Sequence, residues 1–299
     1  QWPAQPEEGG IGMFFTRIGE DIVIKNVRTS AREAGALPGM TILKIDDTPP
    51  GDWIENRIGK LAITRGFSTP HQAFFYATHW GLRDVIGTPM KLEVRTLDDE
   101  EKTLNLTHQK MSQTPQGPAF WPKPKDEKWG SAGKGDLNWC VLEESGLGYI
   151  HVRRCKGNLP EMLDEALAEI GPKAKGIVMD WRGNSGGGFD HAAMFGRFFP
   201  KNKTNTGPNP YGGPVVCIVD ATCRSAGETG AGTFKEDGRA YMIGESPTAG
   251  MSSSKKSIEL PSELFYLYVS VHSNKARFNK GRGIEGIGVI PHEIVPLKK

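Results

Sequence analysis

The chain has 299 residues, room for two domains, and its 37 Lys and Arg stand against 35 Asp and Glu. That near-balance removes the bulk electrostatic case for a nucleic-acid partner, and no apolar run approaches the ~20 residues that a membrane helix needs, so stable membrane insertion is not expected. Four cysteines, Cys140, Cys155, Cys217 and Cys223, are too few for a disulfide scaffold and lack metal-ligand spacing, so no metal or other cofactor is expected. Cys140 and Cys155 flank a hairpin turn near Gly146-Leu147-Gly148, which leaves a cross-strand disulfide and free buried thiols both open. The chain starts at Gln1 rather than Met, which reads as a processed form or a fragment.

In chain order, residues 1–9 are a Pro- and Glu-rich lead-in without periodicity. Strands are predicted from Gly10 to Phe15, from Asp21 to Val27, from Thr41 to Ile45 and from Met90 to Arg95, with another around Leu104. Ser30 to Gly35 reads as a short helix ended by glycine, and 52–64 and 71–84 read as helices. The succession Gly10-Ile11-Gly12-Met13, then Ser30, Ala34-Gly35-Ala36-Leu37, Pro38-Gly39-Met40 and Ile42-Leu43-Lys44-Ile45-Asp46 resembles a PDZ domain of the bacterial-protease type over 10–108. The resemblance implies that the N–H groups of Ile11, Gly12 and Met13 hold a peptide's terminal carboxylate while the adjoining strand pairs with the peptide. Residue types alone also allow a plainer reading, glycines that permit a tight turn.

Residues 109–136 are Pro-rich and polar and read as a linker, with Phe120, Trp121 and Trp129 suited to packing it on a domain. From 137 to 299 strands and helices alternate. Gly148 to Arg153 and Gly176 to Trp181 are strands, and Leu159 to Ile170 is a helix with an apolar stripe ended by Gly171-Pro172. A helix from about Asp190 to Phe199 follows, then the β-branched run Pro214 to Asp220, a helix from Ser225 and a strand over 240–244. The repeated β-β-α order resembles the crotonase-like spiral fold. The expected fold class is therefore α/β, a PDZ-like β-sandwich followed by a crotonase-like ββα spiral protease domain.

Ser225 stands where a strand gives way to a helix. Such a serine is either an N-cap or a nucleophile whose hydroxyl is presented beside helix N–H groups. Upstream lies Asp180-Trp181-Arg182-Gly183-Asn184-Ser185-Gly186-Gly187-Gly188, a loop whose glycines let backbone approach closely. Downstream lies Gly286-Ile287-Gly288-Val289-Ile290-Pro291-His292-Glu293-Ile294. These three segments in this order resemble the tail-specific and C-terminal processing serine proteases, with relatives in the tricorn core protease. The resemblance makes Ser225 the nucleophile, the Ala226 N–H one oxyanion donor, and Gly187 the other, with Gly186 the next choice.

Processing proteases activate serine with a lysine, and Gly250 occupies its place. Lys255 and Lys256 lie nearby, but a charged pair is usually a solvated face. The tricorn-like branch instead uses Ser-His-Glu, its acid placed just before a Gly-Val-x-Pro run, which makes Glu285 the orienting acid. In that branch the histidine comes from ahead of the PDZ-like domain, where this chain begins. Internal candidates are His71 and His79, the latter with Trp80 on an apolar helix that favours core packing, and His151, His191, His272 and His292 have weaker cases. The resulting expectation is a serine endopeptidase acting on peptides or unfolded protein tails, placed outside the cytoplasm and able to form a homo-oligomer. The alternative is a non-catalytic binding module of the same fold.

Overall fold

The computed structural model describes residues 6–110, 122, 128–199 and 206–298. The chain divides into two compact units, Gln1–Pro115 with Pro296–Lys299, and Gln116–Val295. Phe120 and Trp121 lie outside the described residues.

The first unit contains strands β1 (Glu8–Gly10), β2 (Met13–Ile18), β3 (Asp21–Val27), β4 (Thr41–Ile45), β5 (Arg83–Val85), β6 (Pro89–Arg95) and β7 (Glu101–Thr107). Its helices are α1 (Thr29–Glu33), α2 (Pro50–Ala62) and α3 (Pro70–Thr78). Five strands form one antiparallel sheet in the order β2-β3-β4-β6-β7, and β1 pairs with β5 separately. The expected helix over 71–84 is shorter than its apolar pattern suggests. It ends at Thr78, passes through a 3-10 turn over Trp80–Leu82 and becomes β5. Phe14, Phe15, Ile24, Ile42, Leu92 and Leu104 share its core. β2 is an edge strand of the five-stranded sheet.

The second unit contains β8 (Gly130–Ala132), β9 (Leu137–Leu142), β10 (Leu147–Val152), β11 (Gly176–Asp180), β12 (Val215–Val219), β13 (Tyr241–Gly244), β14 (Lys255–Glu259), β15 (Tyr266–Ser270) and β16 (Glu293–Ile294). Its helices are α4 (Leu159–Ile170), α5 (His191–Gly196) and α6 (Ala226–Glu236). Seven strands make a mixed sheet in the order β16-β13-β12-β11-β10-β9-β8, parallel from β10 through β16 and antiparallel at β8 and β9. β14 and β15 form a separate two-stranded ribbon. The end of the expected linker is part of the sheet. β8 pairs with β9, and Gly130 lies so close to the Trp139 indole that a Cβ would stand 2.1 Å from it. Trp129 meets the Tyr149 ring edge-on at 6.0 Å.

Helix α4 buries Leu159, Met162, Leu163, Ala166, Leu167 and Ile170 on one face. Each large apolar side chain so buried contributes about 1.5–3 kcal/mol. Proline in its first turn meets a position that has no N–H acceptor inside the helix. Helix α6 sits closer to its neighbours than ordinary side chains allow. A Cβ at Gly232 would lie 2.7 Å from Phe278, and one at Gly230 would lie 3.0 Å from both Phe189 and Trp181. That proximity draws the N-terminus of α6 against the glycine loop after β11. All four cysteines are free and buried. Cys140 faces Tyr149 across the β9–β10 pair and Cys155 lies beyond the strand, so the disulfide allowed by the spacing does not form.

Candidate active site

Ser225 joins the β12 turn to α6 with φ +56° and ψ −133°. A side-chain-bearing residue held there costs on the order of 1–3 kcal/mol and needs its surroundings to impose the conformation. The surroundings are specific. Asp220 Oδ1 accepts the N–H and hydroxyl of Thr222 and the N–H of Cys223, coiling the turn that leads to the serine. The Arg224 N–H donates to the Asn184 carbonyl at 3.0 Å. The Ser225 N–H donates to Glu228 Oε1 at 3.2 Å. The serine is thus a helix cap held at its backbone, with a half-buried side chain.

The glycine loop rests against this serine. A Cβ built on Gly186 would lie 2.5 Å from Ser225 Cβ and 2.9 Å from its Oγ. The Gly186 N–H donates to Asn184 Oδ1 at 2.8 Å, and its carbonyl accepts from the Cys155 N–H at 3.1 Å. Both backbone groups of Gly186 are therefore occupied. Gly187 has φ +137°, and a Cβ there would stand 1.8 Å from the Cys155 carbonyl oxygen. Its N–H has no hydrogen-bond partner among the described residues. The Ala226 N–H, in the first turn of α6, has no acceptor inside the helix.

Asn184 fastens the two halves of the site. It is buried, its Nδ2 donates to the Val152 carbonyl at 2.7 Å, and its Oδ1 lies where a Gly227 Cβ would be, 2.5 Å away. Beneath the loop, buried Asp180 accepts from Arg182 Nη2 at 2.6 Å, the Arg182 N–H at 2.9 Å and the Tyr149 hydroxyl at 2.6 Å. Asp180 and Arg182 of the sequence motif therefore brace the loop. Burial and the Asp180 carboxylate push the Tyr149 phenol far up, so it stays a donor.

Glu228 extends the site in the other direction. Its fully buried carboxylate accepts from the Thr248 hydroxyl at 2.7 Å, the Gly250 N–H at 2.9 Å and the Met251 N–H at 2.7 Å, besides that of Ser225. Burial raises its pKa to about 7 against the opposing pull of those donors. Thr248 Oγ1 also accepts from the Val289 N–H at 2.7 Å, and Asn279 Nδ2 donates to the Gly283 and Gly288 carbonyls at 2.7 Å each. The turn that carries Glu285 is thereby connected, bond by bond, to the backbone of Ser225. The Glu285 side chain itself is exposed.

The basic candidates separate clearly. His79 is buried in the first unit, stacked on Phe14 at 5.0 Å and Phe75 at 3.8 Å, and burial holds its pKa well below the usual value. It is a core histidine, as its apolar helix suggested. His71 lies on α3 of the same unit. His151 is buried with Nε2 3.0 Å from the Arg182 carbonyl. His191 approaches the Ser225 helix, its Nε2 3.0 Å from Thr229 Oγ1 one turn along. His292 stacks on Tyr241, and His272 is exposed. Lys255 and Lys256 are exposed on β14, Lys255 above the Tyr268 ring. Gly250, buried with φ +74°, gives its N–H to Glu228 where a processing protease would carry lysine. Among the described residues no imidazole or ammonium is hydrogen-bonded to Ser225 Oγ.

In the first unit, Ile11 and Met13 bury their side chains and Gly12 has φ +75° at the entry to β2. Gly12 is buried as well. Among the described residues no cluster of His, Cys, Asp and Glu could hold a metal ion, and no helix is long and apolar enough to cross a membrane.

The Ser225 turn, with its glycine loop and helix start, sits on a mixed α/β fold. The model of peptidase family S41 matches residues 146–295, half of the chain, and the chain belongs to that family. It is a serine-type peptidase whose substrate is a peptide or protein. No curated protein matches the sequence. Among solved structures, mature CPAF is similar with a TM-score of 0.69 at 11% identity, covering 96% of this chain and 77% of that one. Mature CPAF complexed with lactacystin is similar with a TM-score of 0.67 at 12% identity, covering 97% and 79%. The photosystem II D1 C-terminal processing protease has 18% identity and a TM-score of 0.40, covering 98% and 74%. At these identities the CPAF likeness shows the fold alone.

Sequence reasoning named Ser225, the glycine loop and the Glu285 turn. It gave no role to Glu228, Thr248, Asn184 or Asn279. The Ser-x-x-Glu spacing is a capping-box signal and could have pointed to Glu228. The others act through pairings between distant segments that no local pattern announces.

Proposed function

We propose that Ser225 is the acylating nucleophile, that the Gly187 and Ala226 N–H groups receive the oxyanion, and that Glu285 orients a histidine base. Ser225 Oγ attacks the scissile carbonyl while the base takes its proton. The base returns the proton to the leaving amine, and water then releases the acyl group. The observation that carries this reading is the positive-φ backbone of Ser225, whose side chain is pressed against Gly186 of the glycine loop at the start of α6. Electrostatic stabilisation by such fixed donors is commonly the largest single contribution to acyl-transfer catalysis.

Residues 10–108 serve, on this reading, as a PDZ-like unit, and 137–299 as a crotonase-like protease core. The edge position of β2 supports peptide pairing, and the turn of Ile11, Gly12 and Met13 supports capture of a terminal carboxylate. The substrate is then an unfolded tail, met outside the cytoplasm by a chain able to form homo-oligomers. The test compares one peptide with a free and with an amidated C-terminus. The free acid should show the lower KM, and Ser225→Ala should cleave neither. Equal KM values would remove the carboxylate-capture role, and cleavage by Ser225→Ala would remove Ser225.

A further inference from the structure

The β14–β15 ribbon pairs with no strand of its unit's seven-stranded sheet, and every residue of it except Val269 is exposed. Its register pairs Ile258 with Leu267 and Lys256 with Val269, so alternate residues define two faces. Ile258, Leu260, Phe265, Leu267 and Val271 fall on one face, with Phe265 65% and Leu267 51% exposed. The other face is polar and aromatic, with Lys255 over the Tyr268 ring and the Tyr266 hydroxyl reaching Glu259 at 3.4 Å. An isolated two-stranded ribbon is marginal in water, and folded proteins seldom leave so apolar a face uncovered.

The ribbon is rooted in the active site. Glu228 Oε1 accepts both the Ser225 N–H and the Met251 N–H, and β14 begins four residues after Met251. The ladder bonds from Val271 N–H to the Ser254 carbonyl and from Leu260 N–H to the Phe265 carbonyl set the alternation along β14. The N–H groups of Lys255, Ser257 and Glu259 consequently point away from β15, toward an open edge.

We infer that this ribbon is a substrate-binding strand pair. An extended, apolar-rich segment of the peptide adds to the open edge of β14 and lays alternate side chains on the face of Ile258 and Leu267 as it runs toward Ser225. The occupant is substrate because the ribbon's root lies next to the proposed nucleophile: the Met251 and Ser225 N–H groups share one oxygen of Glu228, and β14 begins four residues after Met251. This deepens the proposed peptidase reading and rests on it. It makes the ribbon a determinant of preference for unfolded apolar sequences.

The test measures binding on a Ser225→Ala background of the full-length protein, so that no cleavage intervenes. The probe is a fluorescein-labelled peptide rich in Leu and Val with flanking lysines and an amidated C-terminus, which takes the carboxylate site out of play. A Gly/Ser peptide of equal length and charge is its comparison. Polarisation should show tighter binding of the Leu/Val peptide. Ser257→Pro, which removes an outward N–H without breaking the ladder, and Leu267→Ser should each weaken it by about tenfold. Ile63→Ser, at an exposed position in the first unit, should leave it unchanged, and urea midpoints show whether the ribbon variants remain folded. Equal binding of the two peptides, or ribbon variants that bind the Leu/Val peptide like the parent, would overturn the inference. So would sedimentation showing a parent dimer that Leu267→Ser turns into monomers with peptide binding intact, since the face would then belong to a second copy. Failure of the peptidase reading itself appears separately, as absence of cleavage by the protein with Ser225 in place.

Discussion

Glu228 takes the backbone N–H of Ser225 at 3.2 Å from inside the protein, three residues along the same helix. The same carboxylate takes the N–H groups of Gly250 and Met251, so it ties the Ser225 turn to the segment leading into β14. It also occupies the Ser225 N–H, which leaves the Ala226 N–H as the nearest helix-terminal donor.

Burial raises the Glu228 pKa to about 7 from 4.5. The folded state therefore holds this proton more tightly than the unfolded chain. The stabilisation is complete below the unfolded value and is lost as pH rises toward and through the folded one, by up to about 3 kcal/mol. Urea unfolding of the parent and of Glu228→Gln between pH 4.5 and 8 should show a fall in the parent that the variant lacks. Identical slopes would mean that Glu228 is ionised throughout.

Gly187→Ala should remove activity without a matching loss of substrate binding. The new Cβ meets the Cys155 carbonyl at 1.8 Å, and φ +137° disfavours any side chain, so the peptide must move. Losing one oxyanion donor costs about 10²–10³ in kcat. The check is kcat against KM on a single peptide, with KM expected to change little.

Asp180 and Arg182 form a largely buried pair whose acid also holds the Tyr149 hydroxyl. Arg182→Met leaves that carboxylate without its charge partner and should cost on the order of 3–5 kcal/mol by chemical denaturation. A loss of less than about 1 kcal/mol would show that Tyr149 and the backbone suffice.

Much of this site was legible because the chain announces it locally. β11 and β12 are apolar, β-branched runs, and the glycines after β11 and the serine after β12 mark where backbone must bend sharply. Helix α4 was readable to the residue from its stripe and its Gly171-Pro172 end. The ribbon was not, since Lys255 to Glu259 alternates weakly and its turn lacks an Asn-Gly or Asp-Gly signal. β8 was hidden in a Pro-rich stretch, because its pairing depends on a glycine lying against Trp139 rather than on its own propensity. Cys140 and Cys155 show the limit of spacing arguments, as register set Tyr149 opposite Cys140.

Glu285→Gln separates the two candidate activation schemes. If a histidine is the base, the amide holds it in the wrong tautomer and turnover falls by on the order of 10⁴, while Lys255→Met has little effect. If Lys255 is the base, the pattern reverses. The first pattern is expected, since Lys255 is exposed on the ribbon and the Glu285 turn is bonded through Val289, Thr248 and Glu228 to Ser225.

Whether Ser225 is a reactive nucleophile can be read from a fluorophosphonate probe followed by peptide mapping. On the full-length protein the probe should add to Ser225 alone, and Ser225→Ala should take up none. Modification at another serine, or equal labelling of the parent and Ser225→Ala, would remove Ser225 from that role.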